Sequence, residues 1–222
     1  MKVVWKVLFI FLLTSFSTAV ISQNGSVEPY DGSFKDKSLI HFLKESKTTV
    51  EKRSQSDLAP LIAPECYTTN EGGETADSAV FIDYYFSSSE NENKLWRSLN
   101  FCFKIGGGDL RISEDSSKIE YFMPYCSANL FKSEPFQSLG SYVIALKKKT
   151  YVYQEKDKES KVIDTLCYEI VPINYAEYDK HWVQVIFNDE REGYVSSSDE
   201  VYTIDTRCGL ENESGIWKLK YA

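Results

Sequence analysis

The runs YVIAL (142–146), TYVYQ (150–154), KVIDTLC (161–167), EIVPIN (169–174), HWVQVIF (181–187) and EGYVSS (192–197) decide the fold. They are rich in β-branched and aromatic residues, and polar turns separate them at close spacing, which predicts several short strands in a small barrel or sandwich. Two small orthogonal sheets need alternate apolar residues to fill a tight interior, and Val152, Val162, Ile163, Leu166, Ile170, Val183, Val185 and Val195 can supply them. Gly193 would allow a bend or a close backbone approach. Further on, VYTIDTRC (201–208) and GIWKLKYA (215–222) flank the turn-rich GLENESG and read as a hairpin.

Upstream, the pattern changes to helical. From Asp36, Leu39, Phe42 and Leu43 recur at helical spacing. A second helical stretch runs through Val50 to Leu58, Leu61 and Ile62, with Ser54 as a restart cap and Pro64 as its close. Residues 66–80, with Gly72-Gly73, read as a loop, and Val80 to Phe86 as a strand. Leu95, Trp96, Leu99 and Phe103 share one helical face, and Gly106-Gly107-Gly108 cap that helix. The triplet continues into Asp109-Leu110-Arg111 rather than the Gly-Lys-Ser/Thr of a phosphate loop. Residues 119–126 return to an aromatic strand pattern, and 131–139 read as a connecting loop.

The chain begins MKVVWKVLFIFLLTSFSTAVIS, with Lys2 and Lys6 before a continuous apolar run and small residues after it. This is the pattern of a secretory signal peptide, with cleavage after Ser22 or Ala19. The unbroken apolar core is short for a membrane span, which needs about 20 residues. Residues 23–35, rich in Gly, Ser and Asn, read as a flexible arm. The 222 residues carry a formal charge of −8, which becomes −10 when the leader takes its two lysines away. Such a chain is a poor binder of phosphate backbones, so nucleic acid and anionic membrane surfaces are not expected partners. Hydrophobic residues at 42%, with 15 Tyr and 13 Phe, are enough for a real core.

Within the second half, Val152-Tyr153 is followed by the polar loop QEKDKES and by Lys161-Val162-Ile163-Asp164-Thr165-Leu166. Then come His181-Trp182-Val183-Gln184-Val185, a charged turn and Glu192-Gly193-Tyr194-Val195. This order resembles the bacterial SH3-like (SH3b) domain. Asn-Val-Arg and a turn glycine, frequent in that family, are replaced by Tyr151-Val152-Tyr153 and Asp189-Glu190-Arg191. More loosely, the whole chain resembles exported bacterial SH3 domain-containing proteins, through Trp96-Arg97-Ser98-Leu99 with its Gly-Gly helix end, Phe122 to Tyr125, and Gly215-Ile216-Trp217-Lys218-Leu219. That resemblance implies no particular activity. The expected architecture is α+β: a leader (1–22), an arm (23–35), an N-terminal mainly helical α+β region (36–140), and an SH3-like small β-barrel with a terminal hairpin (141–222).

The residues offer little to catalysis. There are two histidines, His41 and His181, and five cysteines without a C-x-x-C pair. His41 reads as a partly buried helix residue and His181 as an exposed one, with no metal-binding spacing. The cysteines, Cys66, Cys102, Cys126, Cys167 and Cys208, read mostly as small buried apolar residues, with at most two disulfides of open pairing. A papain-like order of Cys before His fails upstream of residue 140. Glu90, Glu92, Asp115, Glu120, Asp157 and Glu159 read as solvated acids, Lys147-Lys148-Lys149 as an exposed turn, and no metal or cofactor is expected. What remains is an aromatic set: Tyr151, Tyr153, Tyr178, Trp182 and Tyr194 are the candidate ligand-binding residues, because aromatic walls recognise extended peptides with little entropic cost. The expectation is a non-enzymatic exported protein, periplasmic or extracellular, that binds a peptide, cell-wall fragment or envelope protein. The alternatives are a carboxylate-based hydrolase of envelope glycans and a structural subunit of an envelope assembly.

Overall fold

The computed structural model describes residues 25–67, 75–112, 118–130, 142–177, 179, 181–197, 201–202 and 206–221. The leader, Gly72-Gly73, Asp115, Tyr178 and the 131–139 connection lie outside the described residues. The protein is α+β, with N-terminal helices on a mixed sheet and, beyond them, two small antiparallel sheets. No described helix is long and apolar enough to cross a membrane.

Helix α1 (Lys37–Lys52) begins where Asp36 accepts the backbone N–H groups of Ser38 and Leu39, satisfying donors that have no partner within the helix. Helix α2 (Gln55–Leu58) restarts at Ser54, whose hydroxyl accepts from Asp57 N–H. Pro64 does not close this segment; it lies inside strand β1 (Ile62–Tyr67), whose register against its neighbour shifts between Ile62 and Tyr67. The expected 66–80 loop is partly strand, since β2 (Thr75–Asp77) pairs antiparallel with β1. The expected strand at Val80 to Phe86 is helix α3 (Ser78–Phe86). Its β-branched and aromatic composition favours a strand, but the Asp77 cap and the burial of Phe81 and Tyr85 one helical turn apart override that preference. Helix α4 (Ser89–Ile105) ends as expected at Gly106, which sits at φ +63°, and its start is capped by Ser88.

Strands β3 (Asp109–Ile112) and β4 (Ile119–Met123) follow, and then helix α5 (Tyr125–Leu130). The small-sheet region comprises β5 (Tyr142–Ala145), β6 (Thr150–Tyr153), β7 (Val162–Leu166), β8 (Ile170–Pro172), β9 (Trp182–Ile186), β10 (Glu192–Ser196) and β11 (Val201–Tyr202). Its sheets run β7-β6-β10-β9 and β11-β5-β8, and an isolated bridge between Ile173 and Val185 connects them. No closed barrel is detected among the described residues. Val143, Val152, Leu166, Val171, Val183, Val185 and Val195 form one core between the two sheets. Val162, expected inside, is exposed, and Ile170 packs in a separate cluster with Val27, Cys126 and Tyr202.

The terminal hairpin departs from expectation twice. Its strands are β12 (Cys208–Glu213) and β13 (Ile216–Tyr221), and Val201–Tyr202 instead joins β5. Ser214 and Gly215 both have positive φ, the conformation that a tight two-residue hairpin turn requires. The hairpin also joins the first sheet rather than the small ones. The order β2-β1-β13-β12-β4-β3 places it at the centre, with β13 parallel to β1 and β12 antiparallel to β4. The small-sheet region is thus an insertion between β4 and β12. The helices cover one face of the six-stranded sheet, and Leu39, Phe81, Trp96, Leu99, Tyr121, Leu210 and Trp217 share its core. Both buried indoles have partners: Trp96 Nε1 donates to Glu92 and Trp217 Nε1 to Ser38 Oγ, which itself donates to Asp36.

The arm expected to be loose is ordered from Gly25 onward. Ser26 bridges to Glu169, Val27 is buried, and Asp31 caps a 3₁₀ turn (Gly32–Lys35) while accepting the Tyr121 hydroxyl at 2.8 Å. All five cysteines are free thiols; four are buried and Cys167 is exposed.

Candidate functional site

The site grows from strand alternation on β6, β10 and β9. Val152, Val183, Val185 and Val195 are fully buried on the inner face. Their neighbours must point outward, because successive side chains on a strand alternate. Tyr151, Tyr153, Trp182, Gln184 and Tyr194 therefore share the outer face. Tyr153 lies opposite Tyr194, which lies opposite Gln184, and Ser196 lies opposite Trp182. The rings touch in sequence: Tyr151 and Tyr153 have centroids 6.3 Å apart, and Tyr153 and Trp182 5.8 Å apart. Tyr151 is exposed, Trp182 and Tyr194 are half-buried, and Tyr153 is buried between them.

Two features fix how these strands pack. At Gly193 a Cβ would stand 2.5 Å from Val152 Cγ1 and 2.7 Å from Ile163 Cδ1, so only glycine lets β10 approach β6 here. Gln184 is buried but satisfied, accepting from Asn174 Nδ2 and donating to Glu192 Oε2 at 2.8 Å.

Charge frames the aromatic strip. Lys149 Nζ sits 4.9 Å from the Tyr151 ring and Lys156 Nζ 5.5 Å from the Tyr194 ring, within range of cation–π attraction. Lys156 also pairs with Asp179 at 3.2 Å and Glu177 at 3.5 Å, and its ammonium pKa is raised, chiefly by the Asp179 hydrogen bond. Asp179 in turn accepts the backbone N–H groups of His181 and Trp182, which lowers its pKa and fixes the entry to β9. Beside Trp182 opens a cavity of about 380 Å³, walled by Lys156 and Lys158, His181, Ser196 and Ser197.

Four of the five candidate residues, Tyr151, Tyr153, Trp182 and Tyr194, are brought onto one face. Tyr178 lies outside the described residues. No family model, curated protein or solved structure matches this chain. The site has to be read from its own chemistry.

Sequence reasoning missed Lys156, Asp179 and Gln184. Only Asp179, a capping residue two positions before His181, left a local signal. His181 is exposed at the cavity mouth. His41, expected to be partly buried, is exposed and pairs with Glu45 at 3.2 Å. Lys147 to Lys149 form an exposed turn, as expected. Glu90, Asp157 and Glu159 are exposed, while Glu92 is half-buried against Trp96.

Glu120 stands opposite Glu211 on adjacent strands of the six-stranded sheet. Burial first, and then the Glu211 charge, raise the Glu120 pKa. Burial also acts on Glu211, but hydrogen bonds from Lys220 and Lys118 outweigh it and leave that pKa lowered. The two acids sit side by side on one sheet, not on opposing walls of a cleft. Among the described residues no group of three or more His, Cys, Asp or Glu is arranged to hold a metal ion.

Proposed function

We propose that this is an exported, non-enzymatic binding protein whose small sheets make an SH3-like module that recognises an extended peptide. That peptide would be presented free, in a cell-wall fragment or by an envelope protein. The observation that carries the reading is the aromatic strip Tyr151–Tyr153–Trp182, continuous with the cavity beside Trp182. An extended chain laid along the strip would bury apolar side chains on the rings. Its polar groups would face Ser196, Ser197 and the lysines at the cavity wall. The module reading is supported by two small antiparallel sheets sharing one valine-rich core and connected by the Ile173–Val185 bridge. Export is supported by the leader pattern of residues 1–22.

The test is retention of the purified chain on peptidoglycan fragments and on immobilised envelope peptides, at low and high salt. Specific retention that persists in salt and is lost in Trp182→Ala supports the reading. Equal behaviour of the wild type and that variant overturns it.

A further inference from the structure

The cavity beside Trp182 has two fixed walls. One is the start of β9 with the end of β10, where the pairing runs one step beyond the strands: Ser197 N–H donates to the His181 carbonyl at 2.8 Å. The other is the loop after β6, which carries Lys156, Asp157 and Lys158. That loop closes on itself. Gln154 N–H donates to the Lys161 carbonyl, Glu155 N–H to Ser160 Oγ, and Ser160 N–H to the Asp157 carbonyl. A ligand therefore meets groups already held in place, and little freedom is lost in ordering them.

Most charges around the cavity are committed. Lys156 is held by Asp179 and Glu177, and Asp179 also accepts the His181 and Trp182 N–H groups. Asp157, the one acid on the wall among the described residues, accepts from Glu159 N–H at 3.0 Å. Lys158 differs: it is exposed, and its ammonium has no ion pair or hydrogen bond among the described residues. The Trp182 indole N–H is likewise without a hydrogen-bond partner among them. An ammonium and an indole can only donate, whereas an ionised carboxylate only accepts. The uncommitted groups on the wall thus ask for an acceptor that carries negative charge.

We propose that this cavity captures the C-terminal carboxylate of the bound peptide, with Lys158 as its counter-charge and the Trp182 N–H as a second donor. The inference rests on the peptide reading above. The position agrees with it, because the cavity lies where β9 begins and β10 ends, so a chain following the aromatic strip reaches it with its end. Hydrogen bonds between an ammonium and a carboxylate are charge-assisted and stronger than neutral ones.

In the experiment the full chain is immobilised and offered a library of short N-acetylated peptides of alternating apolar and polar residues. Each sequence is made with a free carboxylate and with a carboxamide, and retained sequences are titrated by calorimetry in both forms. The free acid should bind about tenfold more tightly, the scale of one hydrogen bond to a charged group. Lys158→Gln should remove that preference and Lys158→Arg should keep it, and high salt should narrow it. Retention of neither form overturns the peptide reading, and this inference with it. Equal binding of the two forms, or a preference that survives Lys158→Gln, overturns this inference alone. An amidated peptide with aspartate as its last residue that binds as well as the free acid overturns the terminal assignment.

Discussion

Trp182 and Tyr153 meet edge to face, with ring centroids 5.8 Å apart and planes at 86°. Such a pair is worth about 0.5–1.5 kcal/mol beyond the area it buries. Here it also holds the indole upright as one wall of the neighbouring cavity.

Truncating that wall should weaken ligand binding more than it weakens the fold. Trp182→Ala is expected to cost about 2 kcal/mol of binding free energy, the scale of an aromatic hot spot. Titration calorimetry with a retained peptide would measure it, while a single cooperative urea transition with unchanged slope in the variant shows that the sheet survives.

Gly193→Ala should destabilise the small sheets. The added methyl meets Val152, Ile163 and the Tyr153 carbonyl oxygen, and overpacking of this kind costs about 1–3 kcal/mol. A lower urea midpoint with unchanged slope is the expected result.

Tyr121→Phe should weaken the arm's anchorage in a pH-dependent way. Burial tends to raise the Asp31 pKa, but the Ser33 N–H and the Tyr121 hydroxyl outweigh it and leave it lowered. A lowered folded-state pKa contributes stability above the unfolded value of about 3.9, and that stability is lost as pH falls through the folded value. The variant should lose about 1 kcal/mol at pH 7. The gap between variant and wild type in urea midpoints should narrow in acid.

Glu211→Gln and Glu120→Gln should act with opposite signs. The Glu211 side chain is only 9% exposed and is held by Lys220 at 2.6 Å and Lys118 at 3.0 Å. Removing its charge should cost about 2 kcal/mol at neutral pH, an effect lost as pH falls through its lowered folded-state pKa. Glu120 has a raised folded-state pKa, so its charge works against folding above that value. Glu120→Gln should therefore stabilise at pH 7, and the gain should disappear below the ordinary glutamate range of about 4.3. Urea unfolding of both variants across pH 3.5–7 checks the signs.

The parts of this fold that could be read in the sequence are those written in local signals. Helix α4 has a clean period and a glycine stop, and the short strands have turns between them. Helix α3 was hidden because Ala79 to Ile82 is a continuous apolar run with no distinguishing period. Local turn chemistry predicts a hairpin near Ser214-Gly215, but carries no information on which sheet the hairpin joins. The aromatic face was legible through alternation along β6, β9 and β10. The Lys156–Asp179 pair was not, because a loop brings together residues that share no local pattern.

The central position of β12 and β13 also sets the order in which the chain can assemble. A polypeptide emerging from its N-terminus presents β1, β2, β3 and β4 well before the two strands that connect them. Until then it holds only two unlinked pairs, β2-β1 and β4-β3, each with a bare edge. Non-local pairing of this kind is slow and leaves strand edges open to wrong partners. The inserted small sheets, whose neighbours are close in sequence, are the part able to fold while the larger sheet still waits for its centre.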